Sequence, residues 1–199
     1  MCIRDRSQAT ERNFLEKKII LVFSLIAAFS LNSQAQLDTQ KSNIKWTGKE
    51  LTTKEHFGSL KLSKAQIDFD NDNIIGGSFV VDMTTLDVQD LTGRGKERLE
   101  GHLRSDDFFS VDKHNQAKLT INSSKKTSNI SYELSGDLTI KDITHPIVFT
   151  LTENARGYTS NLTFDRSKYN VRFRSGTFFQ NLGDKLILDD IELEVTLIK

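Results

Sequence analysis

Apolar and polar residues alternate along most of the chain from residue 42 onward, which is the period of a β-strand with one buried face. The longest runs are 130–140, where Ile130, Tyr132, Leu134 and every second residue up to Ile140 share one face, and 185–198. Alternation of this kind predicts strands at 42–49, 59–69, 74–83, 117–122, 130–140, 146–151, 158–165, 169–173 and 185–198. The chain is therefore predicted to be all-β, with about eight strands.

A helical spacing interrupts this pattern only once. Leu99, His102 and Leu103 fall on one stripe of a helix, with charged residues on the other side, and Ser105 and the two aspartates after it end the stripe. We therefore expect one short helix at residues 95–105. It is too short to be stable alone, so it should close one end of the sheet. Phe108 and Phe109 follow, and we expect one ring under the helix and the other in the sheet.

Long strands, short turns and a single helix favour an up-and-down antiparallel barrel over a sandwich. The glycine pair Gly76-Gly77 predicts a bulge or bend in its strand. Periodicity does not decide whether the inward side chains fill the barrel or line a cavity. The predicted inward set is Trp46, Leu60, Leu62, Phe79, Val81, Leu119, Ile130, Tyr132, Leu134, Leu138, Phe149, Leu151, Phe164 and Leu193.

The first 35 residues have the features of an export signal. Lys17 and Lys18 precede an apolar run at 19–31, and small residues stand before a predicted cut after Ala35. The run is short for a transmembrane helix, and no cysteine near the cut offers a lipid anchor. We therefore expect residues 1–35 to be an N-terminal extension with a signal peptide, residues 36–199 to be the barrel, and the mature protein to be periplasmic or secreted without a stable membrane anchor.

Composition excludes several functions. Basic and acidic residues are equal at 27 each, so no strong net charge points to nucleic acid. The single cysteine, Cys2, lies before the predicted cut, so neither a disulfide nor a cysteine metal site is expected in the mature domain. The basic residues Arg166, Lys168, Arg172 and Arg174 form a local cluster. Arg172 and Arg174 are predicted to share one strand face opposite Phe173, which is interpreted as a solvated face, although near a barrel mouth they would attract a diphosphate.

His56 and His102 are the first candidates for chemistry, and three interpretations stay open. They would bind a metal or act as acid and base, hold a polar head group at the barrel mouth, or only pack the helix against the sheet. Neither a nucleophile motif nor a phosphate-binding loop is found. No cofactor, metal or catalytic residue is therefore expected, and the chain is predicted not to be an enzyme.

Several short motifs, taken in order, resemble the YceI family. They are Trp46-Thr47-Gly48-Lys49, His56-Phe57-Gly58, the segment 77–82, the segment 101–109, the segment 136–141, Asp165-Arg166 and Leu182-Gly183-Asp184. The resemblance covers residues 42–199 and implies a lipocalin-like barrel that holds a polyisoprenoid or similar long-chain amphiphilic lipid in its lumen, for transport, storage or scavenging.

Under that hypothesis we expect twelve residues to contact the lipid. They are Trp46, His56, Phe79, His102, Leu103, Phe108, Phe109, Tyr132, Leu138, Phe149, Phe164 and Phe173. The alternative hypothesis is an isomerase or dehydratase that uses a His/Asp pair in the same cavity. A second copy of the chain, in a homodimer, stays open as a further partner.

Overall fold

A computed structural model describes residues 32–199, which form nine strands and one α-helix. The hydrophobic run at 19–31 of the predicted signal peptide lies outside these residues. The elements are β1 (Asn32–Gln36), β2 (Asp38–Glu50), β3 (Glu55–Asp70), β4 (Asn73–Val88), α1 (Gly93–Arg104), β5 (Gln116–Lys126), β6 (Ser131–Ile140), β7 (Ile143–Asn154), β8 (Gly157–Asp165) and β9 (Ile187–Ile198). Within the described residues, no helix is both long and apolar enough to span a bilayer.

Strands β2 to β9 form a closed eight-stranded antiparallel barrel, as the alternation predicted. Each strand pairs with its neighbour in the chain, and β9 returns to pair with β2. Strand β1 lies beside β3 in the sheet order. This is an up-and-down barrel, in which the hydrogen-bonding edges are removed by closure.

The up-and-down order gives the barrel two different ends. The helix end carries the β2–β3 turn, α1, the β6–β7 turn and the long β8–β9 connection, while the far end carries the β3–β4, β5–β6 and β7–β8 turns. At the far end a continuous packed core fills the barrel, and it includes the fully buried Ile67 and Leu134. The remaining space lies toward the helix end.

Helix α1 spans Gly93–Arg104, one or two residues earlier than the predicted 95–105. It packs against the end of β4, where Glu100 accepts a hydrogen bond from the Val88 N–H at 2.9 Å. The guanidinium of Arg104 donates to the Leu86 carbonyl of the same strand. The buried side chain of Leu103 faces the barrel. These contacts explain why so short a helix persists at the barrel end.

The predicted strand at 169–173 is wrong. Residues Arg166–Tyr169 form a 3₁₀ turn, and Asn170 ends it with a left-handed φ of 58°, so no strand continues. Arg172 and Arg174 therefore share no strand face. Five residues that alternate between apolar and polar resemble a strand locally, but this segment lacks a partner strand in the described barrel.

Two further expectations about the strands need correction. Ile130 precedes β6 and is 53% exposed, so it is not part of the inward set. Strand β4 also runs beyond residue 83 to Val88, across a register shift at which Asp82 and Asp87 pair with Lys61 and Ser59. The irregularity changes the phase of the alternation, which is why the predicted strand ends at residue 83. The bulge predicted near Gly76-Gly77 is present, immediately before Gly76.

Gly58 allows β3 to approach its neighbours closely. An ideal Cβ at this position would lie 1.8 Å from the Asp87 carbonyl oxygen and 2.7 Å from the Trp46 ring. A backbone atom cannot move aside as a flexible side chain can. The glycine of the His56-Phe57-Gly58 motif is therefore required by packing at the helix end of the barrel.

We expect Gly58→Ala to lower the free energy of unfolding by about 2 kcal/mol, because overpacked sites cost about 1–3 kcal/mol. Urea denaturation measures the change. The matched control is Gly101→Ala, on an exposed helical position with no heavy atom within 4 Å of the added Cβ. That control should gain up to about 1 kcal/mol from helix propensity. Equal effects of the two substitutions would contradict the close approach at Gly58.

Candidate functional site

A cavity of about 230 Å³ lies at the helix end of the barrel. Its walls come from α1, from the segment after it, and from the helix-end halves of every barrel strand except β7. Most of the lining is aliphatic or aromatic, with Leu60, Met83, Leu86, Leu99, Ile140 and Ile191 among the members. An apolar space of this kind stays dry or takes an apolar ligand.

Nine of the twelve expected lipid contacts line this cavity. They are Trp46, His56, His102, Leu103, Phe108, Phe109, Leu138, Phe164 and Phe173. The other three, Phe79, Tyr132 and Phe149, point inward but belong to the packed core of the far end. Alternation identifies the side of a strand that faces the lumen, but not the height along the barrel axis at which the lumen is open.

Sequence reasoning missed several residues of the cavity wall. Leu86 lies beyond the predicted strand at 74–83, and its signal was hidden by the irregularity in β4. Arg174 was interpreted as part of a solvated face, yet it reaches the cavity from the β8–β9 connection. Polar lining is confined to Lys49, Glu50, His56, His102 and Arg174.

Phe108 is held in place from two sides. The Lys141 ammonium donates to the Phe108 carbonyl at 3.0 Å and to the Asn170 carbonyl at 3.1 Å. The Arg166 guanidinium lies over the Phe108 ring, 5.2 Å from its centre. Burial lowers the pKa of Lys141, while the negative charge of Asp106 opposes that shift. The two cations thus fix one aromatic wall of the cavity. Phe109 packs beside Phe108, with ring centres 5.1 Å apart.

Arg166, one of the four residues of the basic cluster, is fully buried. Its guanidinium donates to the carbonyls of Val171, Ile187 and Leu188 and forms an ion pair with Asp189 at 3.2 Å. These partners lie at the two ends of the β8–β9 connection. Arg166 therefore fastens the segment that carries Phe173 and Arg174 to the barrel.

His56 is paired with Asp90, a partner that the sequence did not indicate. The distance from His56 Nδ1 to Asp90 Oδ2 is 2.7 Å. The other carboxylate oxygen accepts the Phe57 N–H at 3.0 Å. Asp90 thus binds the edge of β3 as well as the imidazole. Within residues 32–199 no group of three or more His, Cys, Asp or Glu is placed to hold a metal ion.

His102 has an aromatic environment. Its ring contacts Phe173 edge-on at 4.2 Å between ring centres, and Phe108 at 5.7 Å. Its Nε2 is buried and has no hydrogen-bond partner among the described residues. Burial lowers the pKa of His102, the charge of Asp107 opposes this, and the charge of Arg174 adds to it. The neutral imidazole is therefore the favoured form in the folded protein.

This shift predicts a pH dependence of stability. Because the folded pKa lies below the unfolded value of about 6.5, the unfolded chain binds the proton first as the pH falls. His102 therefore destabilises the fold progressively below about pH 6.5, until the folded imidazole is also protonated. Urea midpoints at pH 7.5 and 5.5 should differ less for His102→Gln than for the wild type. The same pH difference in both proteins would contradict this prediction.

An open cleft of about 610 Å³ adjoins the apolar cavity. Phe173 and Arg174 line both spaces. The remaining walls of the cleft are mostly polar and charged, and they include Asp106, Asp107, Lys141 and Arg172. The site thus combines an apolar interior with a charged approach on one side.

The chain is similar in sequence to bacterial proteins. The chain is 27% identical over 128 residues to a UPF0312 protein of Photorhabdus laumondii, which covers 64% of each chain. It is 38% identical over 56 residues to a UPF0312 protein of Pseudomonas putida, covering 28% of this chain and 29% of that one. The chain thus aligns with less than two thirds of the length of these curated relatives.

Solved structures show the same fold. Burkholderia cenocepacia BcnA superposes with a TM-score of 0.64 at 20% identity, covering 82% of this chain and 99% of that one. A polyisoprenoid binding domain from Saccharophagus degradans has a TM-score of 0.55 at 12% identity, covering 81% and 95%. The family model described as YceI-like domain matches residues 36–198. The chain belongs to the YceI family.

Proposed function

We propose that this protein is an exported, non-catalytic lipid carrier or scavenger that holds the tail of a polyisoprenoid or similar amphiphile in the cavity at the helix end. The apolar cavity is the observation that carries the proposal. The polyisoprenoid binding domain of Saccharophagus degradans, which shares the fold, supports the choice of ligand class. The ligand-binding residues would be the nine expected residues that line the cavity.

The size of the cavity limits how much of a tail it holds. An apolar cavity of roughly 150 Å³ takes one benzene ring. By that scale, 230 Å³ corresponds to about nine carbon atoms, or about two isoprene units. A longer tail would extend past the rim or require the far-end core to open. We therefore propose that the site holds the terminal units of a chain rather than all of a long one.

The binding energy of such a tail is moderate. At about 0.8 kcal/mol per buried methylene, about nine carbons contribute about 7 kcal/mol before the cost of association. A dissociation constant of 1 µM corresponds to about 8 kcal/mol, so the tail alone binds weakly. Tight binding thus needs contacts to a head group. The polar side chains of His56 and Arg174, which line the cavity, are placed for that role.

The alternative function, an isomerase or dehydratase, rests on the His56–Asp90 pair at the cavity wall. A histidine paired with a carboxylate is the arrangement that acid–base catalysis requires. Both oxygens of Asp90 are engaged, however, and one of them holds the backbone of β3. We therefore favour a positioning role for the pair. Recovery of an altered lipid after incubation with the protein would favour the enzyme.

Export is proposed from the sequence features of residues 1–35. The predicted cut after Ala35 falls within β1, whose residues are mostly exposed. Leu37 would be retained; its side chain is part of the far-end core, and its N–H donates to the Ala65 carbonyl at 3.0 Å. Cleavage at this point would thus leave the packed core intact.

Titration of the purified domain, residues 36–199, with geraniol, farnesol and geranylgeraniol tests the function. We expect geraniol, farnesol and geranylgeraniol to bind with similar affinity, because the cavity takes only about two units and geraniol already has two. Native mass spectrometry should show one alcohol per chain, recovered unchanged. Absence of binding for all three probes would overturn the proposal.

A further inference from the structure

The rim of the cavity carries exposed aromatic side chains. In the β8–β9 connection, residues 170–186, Phe178 is 38% exposed and Phe179 is 49% exposed. Leu51, from the β2–β3 turn, is 56% exposed, and its N–H donates to the Leu186 carbonyl at 2.9 Å. Together with Arg172 and Arg174, these three residues are called the rim patch. Exposed apolar groups at the end of a barrel that holds a cavity indicate an interaction surface.

The rim patch is continuous with the cavity. Phe179 and Arg172 line the open cleft, while Phe173 and Arg174 line both the cleft and the cavity. A molecule that enters the cavity from this side therefore passes the patch. The other large exposed apolar residues have no such connection: Ile75 lies at the far-end start of β4, Ile130 in the β5–β6 turn and Val148 on β7.

The patch is also positively charged. Arg172 lies over the Phe178 ring at 4.8 Å and Arg174 over the Phe173 ring at 5.1 Å, and neither arginine has an ion-pair partner in the described part of the chain. Residues 170–186 contain Arg172, Arg174 and Lys185 against one acid, Asp184. Of the two acids in the cleft, Asp106 is paired with Lys113. The local charge is therefore positive although the whole chain is neutral.

We propose that the rim patch docks on the surface of an anionic phospholipid bilayer, with Phe178, Phe179 and Leu51 in the interface and the arginines on lipid phosphates. Aromatic rings and guanidinium groups are the side chains that such an interface favours. Docking places the cavity entrance against the bilayer, so a lipid tail crosses without passing through water. The docking surface extends the proposed lipid-carrier function and rests on it.

Vesicle flotation of the ligand-free protein tests the docking surface. The protein should float with phosphatidylcholine vesicles that contain phosphatidylglycerol, less with phosphatidylcholine alone, and less when salt is raised. The double variant Phe178→Ser/Phe179→Ser should bind these vesicles at least roughly tenfold more weakly than the wild type. Arg172→Gln should weaken binding about fivefold on anionic vesicles only.

The matched control is Ile130→Ser/Val148→Ser, which removes two exposed apolar side chains away from the rim. That variant should float like the wild type. Equal losses for the two double variants, or flotation that does not depend on phosphatidylglycerol, would overturn the proposal. A dimer would also overturn it, if analytical ultracentrifugation shows that the dimer depends on concentration and that the phenylalanine variant abolishes it while flotation stays unchanged. The patch would then join two copies of the chain.

Geraniol binding in vesicle-free solution separates docking from the cavity function. The Phe178→Ser/Phe179→Ser variant should bind geraniol like the wild type, because two isoprene units fit in the cavity and neither residue lines it. Loss of flotation with retained geraniol binding supports docking. A wild type that binds geraniol but never floats overturns docking alone, and one that floats without binding geraniol overturns the carrier function alone.

Discussion

Replacing Arg166 with methionine should lower the free energy of unfolding by about 3–5 kcal/mol, the range found when one partner of a buried ion pair is removed. The substitution keeps an unbranched side chain of similar length but deletes every donor. It leaves the carbonyls of Val171, Ile187 and Leu188 and the carboxylate of Asp189 without the guanidinium. Urea denaturation at pH 7.5 measures the change.

The loss should be large because Arg166 satisfies several buried groups at once. An unsatisfied buried acceptor costs about 1–3 kcal/mol, and a charged one costs more. The same substitution at the exposed Arg172, in the next segment of the chain, is the matched control and should change stability by less than about 0.5 kcal/mol. Similar values for the two variants would show that the buried arginine does not fasten the β8–β9 connection.

Arg166→Met should also disturb the cavity. The guanidinium supports the Phe108 ring, and it holds the connection from which Phe173 and Arg174 reach the cavity. Farnesol affinity should therefore fall together with stability. The role of Arg166 is positional, because it acts through Phe108 and through the backbone of the connection.

The barrel could be predicted from the sequence because strict alternation requires one buried face on each strand. The run that includes Tyr132, Leu134 and Leu138 predicted β6 almost to the residue, and the run from residue 185 predicted β9 within two residues. The helix was found from the spacing of Leu99, His102 and Leu103. Each of these elements has a regular period, and each packs a single face.

The errors occurred where the chain is not periodic. The segment 169–173 alternates locally, but a left-handed residue at Asn170 and the hydrogen bonds of Arg166 fold it into a turn. The register shift in β4 displaced Leu86 from the expected phase. A buried arginine cannot be distinguished from an exposed one by its neighbours in sequence, because its partners, Ile187, Leu188 and Asp189, lie about twenty residues away.

The candidate site was predictable in composition but not in extent. Phe79, Tyr132 and Phe149 face the lumen as expected, yet they lie where the barrel is filled. Whether an eight-stranded barrel is filled or hollow at a given height depends on the summed volume of facing side chains, which come from strands distant in sequence. The His56–Asp90 pair spans 34 residues and was missed for the same reason.

Filling the cavity should weaken lipid binding about a hundredfold without unfolding the protein. Leu138 is buried, lies on β6 and lines the cavity. In Leu138→Trp the indole would occupy space that the tail needs. If about four carbons of the tail are displaced, binding loses about 3 kcal/mol, roughly a hundredfold in affinity for farnesol. Isothermal titration with farnesol measures the loss, and urea denaturation should show little change because the ring enters empty space.

Phe149→Trp is the matched control, since Phe149 is equally buried but lies in the packed core of the far end. There the larger ring meets occupied space, so the variant should lose about 1–3 kcal/mol of stability and keep its farnesol affinity. The two tryptophan variants thus predict opposite patterns in the same two measurements. If Leu138→Trp binds farnesol as tightly as the wild type, the tail lies outside the cavity, and the lipid must be held at the rim alone.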